Sequence, residues 1–93
     1  MTSKERAYLK SLANRVPALY QIGKDGISEN MVKSIDAALE ARELIKVHVL
    51  ENALVDAKIL AAELAEKTGA QVVQVIGKKA IIYRRSEKNI CEM

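Results

Sequence analysis

Gly23-Lys24-Asp25-Gly26, with Ile22 before it and Ile27-Ser28-Glu29 after it, is the stretch whose residue types best fit a chemical task. Glycine has no Cβ and enters positive φ freely, so such a loop brings its backbone close to another molecule. Ser28 is a good N-cap, and the free N–H groups of a helix start attract anions, phosphate above all. Lys24 adds a mobile positive charge at the tip. Placed between a strand and a helix, these features make a clamp for a phosphate backbone. The spacing is too short for a nucleotide P-loop or a dinucleotide fingerprint.

The other reactive side chains argue against catalysis. His48 is the single histidine. It has no cysteine or second histidine at metal-ligand spacing, and no serine or cysteine stands at the spacing of a nucleophile–base pair. Asp36, Glu40 and Glu43 fall on or just after a helical pattern, where they read as a solvated face. Cys91 has no histidine near it in sequence, and a lone cysteine fits a reducing, cytoplasmic setting. The expectation is a protein that is not an enzyme, with no cofactor, no metal and no small-molecule substrate.

Seven elements would position the loop. Thr2 followed by Glu5 fits a capping box and predicts a helix over Ser3–Ala13, with Asn14 as a left-handed terminator and Pro17 barring continuation. Ala18–Ile22, apolar between Pro17 and Gly23, reads as a strand. Ile27 can staple onto Val32, and Met31, Val32, Ile35, Ala38 and Leu39 predict a helix from Glu29 to about Ala41. Leu44–Leu50 alternates, with Ile45, Val47 and Val49 on one face and Lys46 and His48 on the other, as a half-buried strand does. Asn52 would cap a helix over Ala53–Lys67, which Thr68-Gly69 ends. Strands over Gln71–Ile76 and Ala80–Arg84 follow, joined through Gly77-Lys78-Lys79 as a hairpin.

The order α-β-α-β-α-β-β predicts an α/β fold, an open two-layer sandwich on a four-stranded mixed sheet. Right-handed crossovers put helices two and three on one face, with helix one joining them there or covering an edge. The second face would then be solvated. One domain over residues 1–86 is expected, followed by a flexible tail over 87–93. No apolar run reaches the roughly 20 residues of a membrane helix, so no membrane partner is expected.

With 49% hydrophobic and 29% charged residues, the chain has the composition of an ordinary folded soluble protein. Its charge is segregated. Residues 1–35 hold six Lys/Arg against three Asp/Glu, residues 36–70 four against seven, and residues 71–93 five against two. If the two ends meet in space, a basic face forms opposite an acidic one, which suits a polyanion such as nucleic acid. There is no Phe and no Trp, and Tyr8, Tyr20 and Tyr83 fall on separate elements. That argues against an aromatic base-stacking sheet of the RRM or oligonucleotide-binding-barrel kind. No adjacent helix pair with a short turn makes a helix-turn-helix. Backbone recognition through a Gly-x-x-Gly loop, as in KH-type domains, remains.

Four segments together resemble the CRM domain, the chloroplast RNA splicing and ribosome maturation family, in its small stand-alone bacterial form of the YhbY type. They are Leu9-Lys10-Ser11-Leu12-Ala13, Ile22–Glu29, Ala38–Val47 and Val75–Arg85, in family order across nearly the whole chain. The resemblance implies a fold similar to the C-terminal domain of translation initiation factor 3. It also implies RNA binding through the glycine loop and association with precursor large ribosomal subunits. Carried onto this chain, the loop comprises Gly23, Lys24, Asp25 and Gly26; the basic residues Lys78, Lys79, Arg84 and Arg85, singled out by their charge, would extend its footprint. Asp25 departs from the ideal, since an acid at the tip opposes phosphate; it fits a helix cap or an acceptor for a base or 2′-OH. The alternative is a ribosome-associated protein–protein adaptor that uses the open sheet edge or a helix face.

Overall fold

The computed structural model describes residues 1–87 together with Ile90 and Cys91. Three helices, α1 (Ser3–Ala13), α2 (Glu29–Arg42) and α3 (Ala57–Thr68), alternate with strands β1 (Ala18–Ile22), β2 (Leu44–Val49), β3 (Gln71–Ile76) and β4 (Lys79–Tyr83). The expected α-β-α-β-α-β-β order holds. The strands form one mixed sheet in the order β1-β2-β4-β3, with β1 parallel to β2 and the other two pairings antiparallel.

This topology follows from the connections. The β1-α2-β2 and β2-α3-β3 crossovers both step the same way across the sheet, so right-handedness puts α2 and α3 on one face. There Ile35, Ala38 and Leu39 of α2 and Ala57, Leu60 and Leu64 of α3 pack on Ile22, Ile45, Val47, Val49 and Ile82. The hairpin then returns β4 into the gap between β2 and β3. Its turn is Gly77-Lys78, with Gly77 at φ +56° and Lys78 outside the positive-φ region. That is the pattern of a type II′ turn, whose twist matches the flanking strands.

Helix one takes neither of the two expected places. Leu9 and Ala13 of α1 bury against Leu44, Val73, Ile81 and Tyr83, which project from the sheet face opposite α2 and α3. One end of the second face is therefore covered, and the sandwich gains a partial third layer. The signal was in β4: Ala80-Ile81-Ile82-Tyr83 is apolar at consecutive positions, and a strand apolar on both faces is buried on both. Arg6 pins α1 down, donating from Nη1 to the carbonyls of Val72 (3.0 Å) and Val73 (2.5 Å), at the β-bulge between Val72 and Gln74.

Local chemistry sets the ends of the helices. Thr2 and Glu5 form the full capping box. Asn14 ends α1 in right-handed geometry (φ −60°) rather than left-handed, because Arg15 and Val16 continue into turns bonded to Leu12 and Ala13. α3 begins four residues later than expected, with Asp56 at the N-cap position but making no side-chain capping bond; Leu50 to Asp56 form the connection, and Ala53 N–H bonds the Leu50 carbonyl. α2 ends at Glu43, a residue with φ +65° and no solvent exposure. Its carboxylate accepts from the backbone N–H of Ser86 (2.6 Å), the Ser86 hydroxyl (3.0 Å) and the N–H of Cys91 (2.7 Å). Glu43 is thus an internal anchor, not part of a solvated face. It ties down Ser86, the last residue of the expected domain, and Cys91, which falls within the expected tail; Lys88, Asn89, Glu92 and Met93 of that tail lie outside the described residues. Among the described residues, no helix is long and apolar enough to cross a membrane.

Candidate functional site

Three connections meet at one end of the sheet. β1 runs into the glycine loop, β2 into the turn around Asn52, and the β3–β4 hairpin turns back beside them. Backbone bonds tie the three together. Leu50 N–H donates to the Ile22 carbonyl at 2.8 Å, and Val49 N–H donates to the Lys78 carbonyl at 2.6 Å. The N-termini of α2 and α3, which carry the positive ends of their dipoles, open at this same end.

The loop itself is a tight turn, with Gly26 N–H bonded to the Gly23 carbonyl at 3.1 Å. Gly26 sits at φ +68°, where a side chain is strained even though a Cβ there would meet nothing within 4 Å. Gly23 is close-packed instead: a Cβ would lie 3.3 Å from Asn52 Oδ1 and 3.6 Å from Leu50 Cδ1, so the Asn52 side chain would have to shift slightly. Ser28 caps α2 by accepting from Met31 N–H at 3.1 Å, taking up one of the helix's first free donors. Asp25 is therefore not the cap. It is exposed beside Lys24, on an open groove of about 520 Å³ lined by the loop, Gln21, Ser28, Met31 and Asn52. Lys78 and Lys79, both exposed, flank this end from the hairpin.

The two arginines lie elsewhere. β4 runs antiparallel to β2, so its C-terminal end sits with the start of β2, one strand length or about 17 Å from the loop. Arg84 is committed there. Its guanidinium pairs with the Asp36 carboxylate, bonds the carbonyls of Thr68 (2.7 Å) and Asp36 (2.9 Å), and reaches Glu40 Oε2 at 3.4 Å. It staples β4 to α2 and the end of α3. Arg85 is exposed beside it. The structure thus brings together Gly23, Lys24, Asp25, Gly26, Lys78 and Lys79, and leaves Arg84 and Arg85 at the far end.

The CRS1 / YhbY (CRM) domain model matches residues 1–84. The chain belongs to that family. This CRM domain is 42% identical to a Bacillus subtilis protein named "Probable RNA-binding protein YqeI", across 96% of this chain and 93% of that one. It is 30% identical to the mitochondrial CRS2-associated factor 1 of rice, where the match spans 96% of this chain but 21% of the rice protein. Among solved structures it is similar to SAV1595 of Staphylococcus aureus, a candidate RNA-binding protein, with 54% identity and a TM-score of 0.81 over 96% of this chain and 93% of that one.

Asn52 is the groove residue of this CRM domain that sequence reasoning placed elsewhere, as a helix cap. The run Asn52-Ala53-Leu54-Val55 has helical apolar spacing, yet Leu54 is 85% exposed because the helix has not begun. Only the close approach to Gly23 marks Asn52 out, and that is a tertiary fact. Gly26→Ala isolates the loop's backbone requirement. It is expected to lower folding stability by about 1 kcal/mol, through strain alone, as a shift in denaturation midpoint at unchanged m-value.

Proposed function

We propose that this CRM domain binds RNA through its backbone, at the sheet end where the Gly23–Gly26 loop and the Lys78-Lys79 hairpin meet. The supporting observation is that convergence. Two candidate segments more than fifty residues apart in sequence are joined through β2 by the bonds of Leu50 and Val49. Phosphate would be met by loop N–H groups, helix N-termini and Lys24, with Lys78 and Lys79 as a second contact. Asp25, exposed on the groove, would accept from a base or a 2′-OH. Arg84 is assigned to the fold rather than to RNA; Arg85 would be a peripheral contact. The matched relatives named by activity are RNA-binding proteins, and no catalytic step is assigned here.

The RNA we propose is ribosomal, in precursors of the large subunit in the cytoplasm, with the protein acting as an assembly factor. Crosslinking in cells followed by sequencing of the attached RNA tests this. Reads are expected to concentrate on large-subunit ribosomal RNA and its precursors. Reads spread over messenger RNA would overturn the assembly role while leaving RNA binding intact.

A further inference from the structure

The part of the second sheet face that α1 leaves open carries a row of side chains that the clamp does not use. Strand register sets Gln21 of β1 opposite His48 of β2, His48 opposite Lys79 of β4, and Lys79 opposite Ile76 of β3. Val47 and Val49, on either side of His48, are buried in the core shared with α2 and α3, so alternation puts the row on the other face. Among the described residues, α1 and Cys91 pack on that face at Leu44, Val73, Ile81 and Tyr83, toward the far end. Gln21, Lys79 and Ile76 are exposed, and His48 is half-buried, as is Lys46 two residues before it.

Two observations point to the occupant. None of the four strands contains an Asp or a Glu, while they contain Lys46, His48 and Lys79. The row is also continuous with the clamp, because Gln21 lines the groove at the glycine loop and Lys79 belongs to the hairpin end. The four strands span about 14 Å, room for two or three nucleotides. Tyr20 packs toward the α2/α3 core and Tyr83 lies buried with α1, so the His48 imidazole is the one strand ring offered here.

We infer that the RNA bound is single-stranded: one base stacks on the His48 imidazole with its edge at Gln21, while its backbone passes from the glycine loop toward Lys79. A duplex keeps its base faces stacked on one another and could not use this row. The inference rests on the clamp reading above, and the experiment separates the two.

Dissociation constants are measured at two salt concentrations for a 12-nucleotide oligouridylate and for a blunt 12-base-pair RNA duplex. The proteins are the parent, His48→Ala, His48→Phe and Lys24→Glu. His48→Ala is expected to weaken oligouridylate binding about 5- to 100-fold, with unchanged salt dependence, and to leave duplex binding within twofold. His48→Phe, which keeps a stacking face, is expected to restore it. Should His48→Ala lower the melting temperature, His48→Gln replaces it as the ring deletion. If ring deletion left oligouridylate binding within twofold, or weakened duplex binding equally, the row would be overturned. A loss in Lys24→Glu would then leave the clamp standing. No effect from either substitution would overturn both, as would a face that captures a protein partner and no RNA.

Discussion

Lys24→Glu combined with Gly23→Asp and Gly26→Asp is expected to lower RNA affinity a hundredfold or more, about 3 kcal/mol. The triple variant replaces one cation by an anion and puts two further carboxylates where the loop backbone meets phosphate. Gly26 lies at φ +68°, a region that aspartate enters more readily than most residues, and no atom lies within 4 Å of a Cβ there. At Gly23 the new side chain meets the flexible Asn52 amide at 3.3 Å, so the fold has room to adjust. Binding should fall far more than stability. The salt dependence should also flatten, with the log–log slope losing about one unit for each phosphate contact removed. Replacing Arg84 instead should do the reverse. Its guanidinium is held by Asp36, Glu40 and the Thr68 carbonyl, so stability should drop with little change in RNA affinity. Binding titrations paired with thermal melts on the same samples check both results.

Glu43→Ala is expected to cost about 3 to 4 kcal/mol of folding stability, a melting temperature lower by about 15 to 25 °C for a domain of this size. Three donors lose their acceptor at once: the N–H groups of Ser86 and Cys91 and the Ser86 hydroxyl. Each lost bond is charge-assisted and made in a buried setting, and the φ of +65° at this position still has to be held. The same carboxylate makes stability depend on pH. Burial alone would raise its pKa, but the backbone bonds from Cys91 and Ser86 and the Ser86 hydroxyl together outweigh burial and hold it below the ordinary value. A carboxyl whose folded pKa lies below its unfolded value contributes stability above about pH 4.5, and that contribution is lost as pH falls through the folded pKa. Glu43→Gln should therefore be less stable than the parent at pH 7, with the gap closing on acidification. Nearby, burial first and the adjacent Glu43 second push the Cys91 thiol up to about 11, so it stays protonated at neutral pH.

How much was legible varied with the range of the forces involved. The helix over Ser3–Ala13 matches residue for residue, because a capping box and a proline are local instructions. The β3 strand and the Gly77 turn were equally readable, since turn chemistry acts over four residues. Three features were not readable from local pattern. α1 chose its face through partners on three strands, and only the double-sided apolarity of Ala80–Tyr83 hinted at it. Glu43 looked like its neighbours Asp36 and Glu40 in sequence, but its acceptors' partners come from residues more than forty positions later. Arg84 was grouped with the hairpin lysines as a basic group extending the loop's footprint. Five residues of β-strand were enough to carry it to the opposite end of the molecule. The glycine loop was legible as a loop; its closeness to Asn52, and its place at the same sheet end as Lys78, are products of strand pairing.

We place the RNA at the loop end of the sheet. Titrating a ¹⁵N-labelled sample with a single-stranded oligoribonucleotide, and following the backbone amide shifts, tests it most directly. The largest shifts are expected on Gly23–Ser28, Asn52 and Gly77–Lys79, shrinking as salt is raised. Arg84, Arg85 and the α1 residues should move little. Shifts concentrated at Arg84, Arg85 and the Glu43 end of the sheet, with the glycine loop unmoved, would contradict it.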